Sequence, residues 1–252
     1  FNPSVSEPIA LLATDSWPAS NHLFDDESIW AIRAAMAAQR PLLIRGEPGI
    51  GKSQLARAAA HVLGVPFLCH VVHERCEVGD LLYSVDAVSR LAQAQVAGVL
   101  ARAGDDWAEK LAEERFIKPG VLWWAFDWAS AQTQAGKFFR GLKPPAAPSG
   151  WAAVRGGCVV LIDEIDKADS AVPNALLESL GNIGFQVPEA GMSVARAADA
   201  APPLVVVTTN EERELPAAFL RRCFVLQMPF PPKGKDVVGF LLERGRAHFP
   251  AP

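Results

Sequence analysis

Long apolar runs are scarce in this sequence: stretches such as residues 158–162 and 204–207 fall far short of the about 20 residues that span a bilayer. No transmembrane helix is expected. Cysteine is sparse as well, with Cys69, Cys76, Cys158 and Cys223 showing no paired spacing, which argues against a disulfide scaffold and for buried free thiols. No Lys/Arg-rich run occurs, and 24 basic against 28 acidic residues give a net charge of −4, so a large nucleic-acid surface is not expected. The opening residues Phe1 to Glu7 lack the basic start and apolar stretch of a secretory signal. A cytoplasmic location is the expectation. No internal repeat is found. What is present is an ordinary globular composition: 252 residues, half of them hydrophobic, enough for one substantial core and at most a small second unit.

Cys69, His70, His73 and Cys76 supply four potential zinc ligands in a short stretch. The segment opens as a strand, however, and alternate strand side chains point to opposite faces, so the four groups should not converge on one tetrahedron.

Residues 1–23, broken by Pro3, Pro8 and Pro18, read as an irregular arm. Acids at Asp25, Asp26 and Glu27 followed by Ile29, Ile32 and Met36 predict an amphipathic helix over 25–39, stopped by Pro41. Strands and helices then alternate: strand at 42–44, helix 53–63, strand 67–72, helices between 81 and 128, strand 159–162, helix 173–180, strand 204–207. This alternation predicts an α/β domain with a mainly parallel sheet. Residues 137–157, rich in Pro and Gly, read as a long surface connection, and 185–194 as a hairpin. Trp123, Trp124 and Trp128 fall at helical spacing, as core or interface anchors. After Met228 a proline-rich run precedes an amphipathic stretch from Val237, the start of a helical unit.

Gly46-Glu47-Pro48-Gly49-Ile50-Gly51-Lys52-Ser53 fits the pattern G-x-x-x-x-G-K-[ST] in full, between a strand and a helix. Backbone N–H groups and the helix N-terminus would face a phosphate chain, Lys52 its β- and γ-phosphates, and Ser53 a Mg²⁺ ion. The apolar strand 159–162 ends in Asp163 and Glu164, at the carboxyl edge where such sheets carry their chemistry. Asp163 would hold Mg²⁺, and Glu164 would orient the attacking water. A third buried strand finishes in Thr208, Thr209 and Asn210, placing Asn210 at the same edge. A short helix then ends in Arg221 and Arg222, which either offset the helix dipole or stabilise transition-state charge on a neighbour's nucleotide.

Together these residues resemble the AAA+ ATPases, specifically the MoxR-like branch, over about residues 24–249; the stretches 77–82, 118–125, 174–178 and 185–194 match too. The resemblance implies a P-loop NTPase αβα sandwich with a mainly parallel five-stranded sheet. It implies an arm at 1–23, a nucleotide-binding domain at 24–228 and the start of a helical lid at 229–252. It further implies ATP and Mg²⁺ held by Gly46 to Ser53 and the following Gln54, with Lys52 and Ser53 as Walker A. Asp163 and Glu164 become Walker B, Asn210 the first sensor, and Arg222 the finger acting in the next subunit, with Arg221 as its fallback. A hexameric ring acting on a protein client, such as one carrying a von Willebrand factor A domain, is the implied assembly. No second sensor arginine is assigned, although Arg244 and Arg246 lie on the visible lid helix.

Rival readings are a nucleic-acid motor or loader, a nucleotide-gated scaffold with little hydrolysis, and a small-molecule P-loop kinase. Glu164, Asn210 and Arg222 disfavour the scaffold, the kinase has no use for a finger, and the charge balance disfavours DNA.

Overall fold

Alternate side chains of the central strands part to opposite faces, and two apolar clusters form as a result. Leu43, Val160, Ile162, Val205 and Val207 meet Leu122, Trp123, Leu176 and Phe219 on one side. Leu42, Ile44, Val159, Leu161, Leu204 and Val206 meet Ile29, Ile32, Leu55 and Ala59 on the other. Each fully buried Leu, Ile or Val contributes about 1.5–3 kcal/mol, so both faces must be covered by helices. The computed structural model describes residues 1–248 except 6, 15, 101–106, 140 and 231–235.

The chain opens with β1 (Ile9–Leu11), β2 (Ser20–His22), α1 (Asp26–Ala38), β3 (Leu42–Arg45), α2 (Lys52–Leu63) and β4 (Phe67–Val71). Then come α3 (Val78–Leu82), β5 (Tyr83–Val85), α4 (Ala87–Leu100), α5 (Trp107–Lys110), β6 (Ile117–Pro119), α6 (Val121–Phe126) and α7 (Trp128–Phe138). The last part holds β7 (Val159–Asp163), α8 (Ala171–Asn182), β8 (Gly184–Val187), β9 (Met192–Ala195), β10 (Leu204–Thr209), α9 (Ala217–Arg222), β11 (Phe224–Gln227) and α10 (Val237–His248). Five strands form one sheet in the order β11-β3-β10-β7-β4, with every pairing parallel. Because all five run the same way, their carboxyl ends share one edge of the sheet. This is the mainly parallel α/β sheet expected from the alternation of elements, and the P-loop NTPase αβα sandwich that the resemblance implies.

Several local expectations need correction. The arm at 1–23 is not irregular throughout, since β1 and β2 pair antiparallel with Ile9 opposite His22 and Leu11 opposite Ser20. Three-residue strands, one of them Ser-Asn-His, carry little β propensity, and the pairing is held by tertiary contact: Leu11 is buried and Arg57 of α2 donates to Pro18 O at 2.9 Å and to Leu12 O. The region between 81 and 128 is not only helical either: β5 and β6 form an antiparallel ribbon. The connection read from 137 starts later than expected, because α7 runs to Phe138 and takes in Gly136. The three tryptophans are buried as expected, but on two helices, α6 and α7, separated by Asp127, whose carboxylate caps α7 by accepting from Ser130 N at 3.0 Å. The hairpin is present as β8–β9. Pro231, Pro232 and Pro250, which frame the expected lid, lie outside the described residues.

Candidate active site

The loop between β3 and α2 is shaped by its glycines, Gly46, Gly49 and Gly51, all at positive φ. At Gly46 (φ 151°) an added Cβ would lie 2.4 Å from Met228 O, and Gly51 caps α2 from a left-handed conformation (φ 99°). Strand β3 therefore delivers the chain into a tight turn whose far end is the N-terminus of a twelve-residue helix. Anions bind there because the first N–H groups lack partners within the helix and the dipole favours negative charge.

Lys52, the first residue of α2, is 6% exposed. Its ammonium donates to Gly46 O at 2.7 Å, Glu47 O at 2.8 Å and Asn210 Oδ1 at 2.7 Å, which uses all three of its protons. Burial lowers its pKa from the ordinary lysine value, and the fields of Asp163, Asp166, Glu164 and Glu211 oppose that shift. A phosphate arriving at the loop would meet a cation already aimed along it.

Ser53 Oγ lies 2.9 and 3.0 Å from the two carboxylate oxygens of Asp163, at the end of β7. Thr208 of the adjoining β10, fully buried, donates to Asp163 Oδ1 at 2.5 Å and accepts from the backbone N–H of Glu164 at 2.9 Å. One hydroxyl thus fixes both acids relative to each other. Glu164 needs such support: its φ of 60° is a left-handed conformation that a residue with a Cβ adopts only when its surroundings impose it. Its carboxylate takes Lys167 Nζ at 2.6 Å on one oxygen and Asn210 Nδ2 at 3.2 Å on the other. The bond and the charge of Glu164 raise the Lys167 pKa. Asn210 therefore bridges Lys52 and Glu164 with its two amide ends.

Asp166 was not singled out from the sequence. It is 2% exposed and accepts from the backbone N–H groups of Asn210 (3.2 Å) and Glu212 (2.9 Å), which holds the tip of β10 in place. The only available signal was its place in the acidic run 163–166, which a helix N-terminus would equally explain. Thr208 and Lys167 acquire their roles through pairings that single-sequence patterns do not mark.

The structure thus brings together Gly46 to Ser53, Asp163, Glu164 and Asn210. Gln54, in the first turn of α2, instead accepts from Ser20 Oγ at 3.2 Å. Arg221 and Arg222 are elsewhere. They end α9 just before Phe224, which is level with Leu42 at the start of β3, whereas the loop follows Arg45 at its end. At about 3.3 Å per residue, the arginines lie roughly 10 Å or more from their own chain's loop, at the opposite edge of the sheet.

A family model matches this arrangement, the AAA domain of the dynein-related subfamily, over residues 41–223. The chain belongs to this AAA domain family. The match starts at β3 and ends beside the two arginines, so every element that carries the site falls inside the AAA domain. Among curated relatives, midasin of Giardia intestinalis is 36% identical over 83 residues, covering 33% of this chain and 2% of that protein. The ATP-dependent protease ATPase subunit HslU of Cereibacter sphaeroides is 31% identical over 145 residues, covering 56% of this chain and 30% of that protein. The chain therefore spans less than a third of either relative. A crystal structure of a candidate ATPase from Cytophaga hutchinsonii aligns with 87% of this chain and 48% of its own, at 15% identity and a TM-score of 0.48.

Among the described residues no helix is long and apolar enough to cross a membrane, and no group of three or more His, Cys, Asp or Glu is placed to hold a metal ion on its own. Of the four residues in the zinc-like stretch, His70 and Cys76 do meet, Nε2 to Sγ at 3.5 Å, while His73 Nδ1 accepts from Arg75 N.

Proposed function

We propose that this AAA domain hydrolyses ATP, within a ring of the MoxR-like kind that remodels or activates a protein partner. The observation that carries the reading is the continuous hydrogen-bond chain Lys52–Asn210–Glu164, closed through Thr208 to Asp163 and Ser53. Each group stands at the sheet edge where the loop would present a triphosphate. Phosphoryl transfer asks a protein mainly for positioning and charge stabilisation, and these residues supply both.

Residues 46–54 would cradle the phosphates, with Lys52 giving up an acceptor on its own loop to reach them. Ser53 Oγ and the Asp163 carboxylate form a compact set of hard oxygen donors of the kind Mg²⁺ prefers. Bound there with ATP, Mg²⁺ would neutralise phosphate charge. Glu164 orients the attacking water through its carboxylate, and Asn210 holds that carboxylate beside the γ-phosphate position. Arg222, with Arg221 as the fallback, completes the site of a neighbouring copy, a reading supported by their distance from their own loop. The domain at 24–228, the arm at 1–23, the lid start at 229–252, the hexamer, a cytoplasmic place and a client bearing a von Willebrand factor A domain belong to the same proposal.

Glu164→Gln tests the chemistry. The variant should keep ATP affinity and lose turnover by about 10²-fold or more, because the amide keeps the shape and cannot polarise water. Turnover within a few-fold of the parent would place the base elsewhere. Ring action is tested by mixing Lys52→Ala protein, lacking a site but keeping its arginines, with Arg222→Ala protein. Activity should reappear only in the mixture, and DNA should not stimulate it.

A further inference from the structure

We infer that Arg40 is the positioning residue for the two finger arginines, holding the end of α9 so that Arg222 is presented to a neighbouring copy; the inference rests on the trans-acting role proposed above. Arg40 Nε donates to Arg222 O at 2.9 Å, and its Nη2 donates to Arg221 O. These are the last two carbonyls of a six-residue helix, groups that have no acceptor role left inside it. The planar guanidinium offers two donors in the fixed spacing that two successive carbonyls require, and its charge sits at the negative end of α9.

The Arg40 side chain is itself held. It lies over the ring of Phe224, two residues after Arg222, 5.4 Å from the centroid. Its backbone is fixed on both sides: Arg40 N donates to Ala35 O at 3.0 Å, and Pro41 O accepts from Phe224 N at 2.8 Å. Gln39 before it closes α1 in a left-handed conformation. Arg40 thus stands on a rigid corner between α1 and β3, beside the concavity lined by Asn174, Glu178 and Arg222. It is at the wrong edge of the sheet to touch its own chain's nucleotide. What it can set is the direction of a helix end only two residues long beyond the buried Phe219 and the partly buried Leu220.

Misplacing a charge-stabilising group by about 1 Å costs on the order of 10²-fold, so loosening α9 should lower kcat by 10- to 100-fold. ATP affinity should stay within about twofold. The test uses mixed assemblies of the full chain. Lys52→Ala protein should revive Arg222→Ala protein, whereas Lys52→Ala/Arg40→Ala protein should revive it at least tenfold less well. In the reverse placement, Arg40→Ala/Arg222→Ala protein should be revived by Lys52→Ala protein as fully as Arg222→Ala is. A merely structural role would fail on both sides. Arg40→Lys, which keeps the charge and fills one carbonyl, should recover part of the loss, and it carries the test should Arg40→Ala not fold. Equal revival by donors with and without Arg40, or equal losses on donor and acceptor sides, overturns the inference while leaving the trans arginine in place. If Lys52→Ala protein revives neither Arg222→Ala nor Arg221→Ala protein in assemblies shown to be mixed, the trans reading falls and this inference with it.

Discussion

Thr208 shows how much a single hydroxyl can organise. With Thr208→Val the shape survives, but Asp163 keeps only its Ser53 donor and the Glu164 N–H loses its acceptor beside a fully buried side chain. Leaving that N–H unsatisfied costs about 1–3 kcal/mol, so a urea titration should show a loss in that range, with turnover falling further than stability. Thr208→Ser should keep most of both. Gly46→Ala is a sharper case, because its Cβ would meet Met228 O at 2.4 Å in a conformation that disfavours side chains. Calorimetry should find ATP binding abolished or reduced at least tenfold, with the domain destabilised. The glycine and lysine pattern of the loop was legible in the sequence because the loop makes its shape from neighbouring residues. Thr208, Asp166 and Lys167 were not, since a hydroxyl joined to a carboxylate 45 residues away leaves no local trace.

At the level of elements, the central strands β3, β7 and β10 were readable because each is an apolar run buried on both faces, whereas the flanking β4 and β11 are partly exposed. The β1–β2 and β5–β6 pairs were not readable, because three-residue strands have too little pattern of their own and are made by what they pack on. For β1–β2 that partner is α2: Arg57, 5% exposed, ties the helix to Leu12 and Pro18, and Ser20 reaches Gln54. Arg57→Ala should therefore lower the urea midpoint, by about 1.5–3 kcal/mol in stability, although it lies outside the loop. The hairpin also touches α10, with Asn21 Nδ2 donating to Ala247 O at 2.7 Å and Arg244 Nη1 to Leu23 O at 3.1 Å. Asn21→Ala should loosen α10 selectively, which hydrogen exchange of its amides would show as faster exchange there than in α2.

For the molecule as a whole, burial pushes the thiols of Cys69, Cys158 and Cys223 up to about 12 and that of Cys76 up to about 11. A group whose folded pKa is raised holds its proton in the folded state after the unfolded chain has lost it. Its stabilisation is therefore complete below the unfolded thiol range and is lost as pH rises through about 9 to 12. Melting temperature should fall across that window, and less steeply in Cys158→Ala. At pH 8 a thiol reagent should label Cys69 before the three buried cysteines. The parallel sheet carries a last consequence for assembly. With the phosphate loop at one edge and the arginines at the other, a contact joining them is head-to-tail, a meeting of two different patches. Such a contact gives every assembly a direction around its axis and leaves an unsatisfied patch at each end until the rotation closes. A closed ring has no ends. On the trans reading proposed above, an open chain of copies carries one idle loop and one idle arginine pair, so hydrolysis per copy should depend on protein concentration until closure and then stop depending on it.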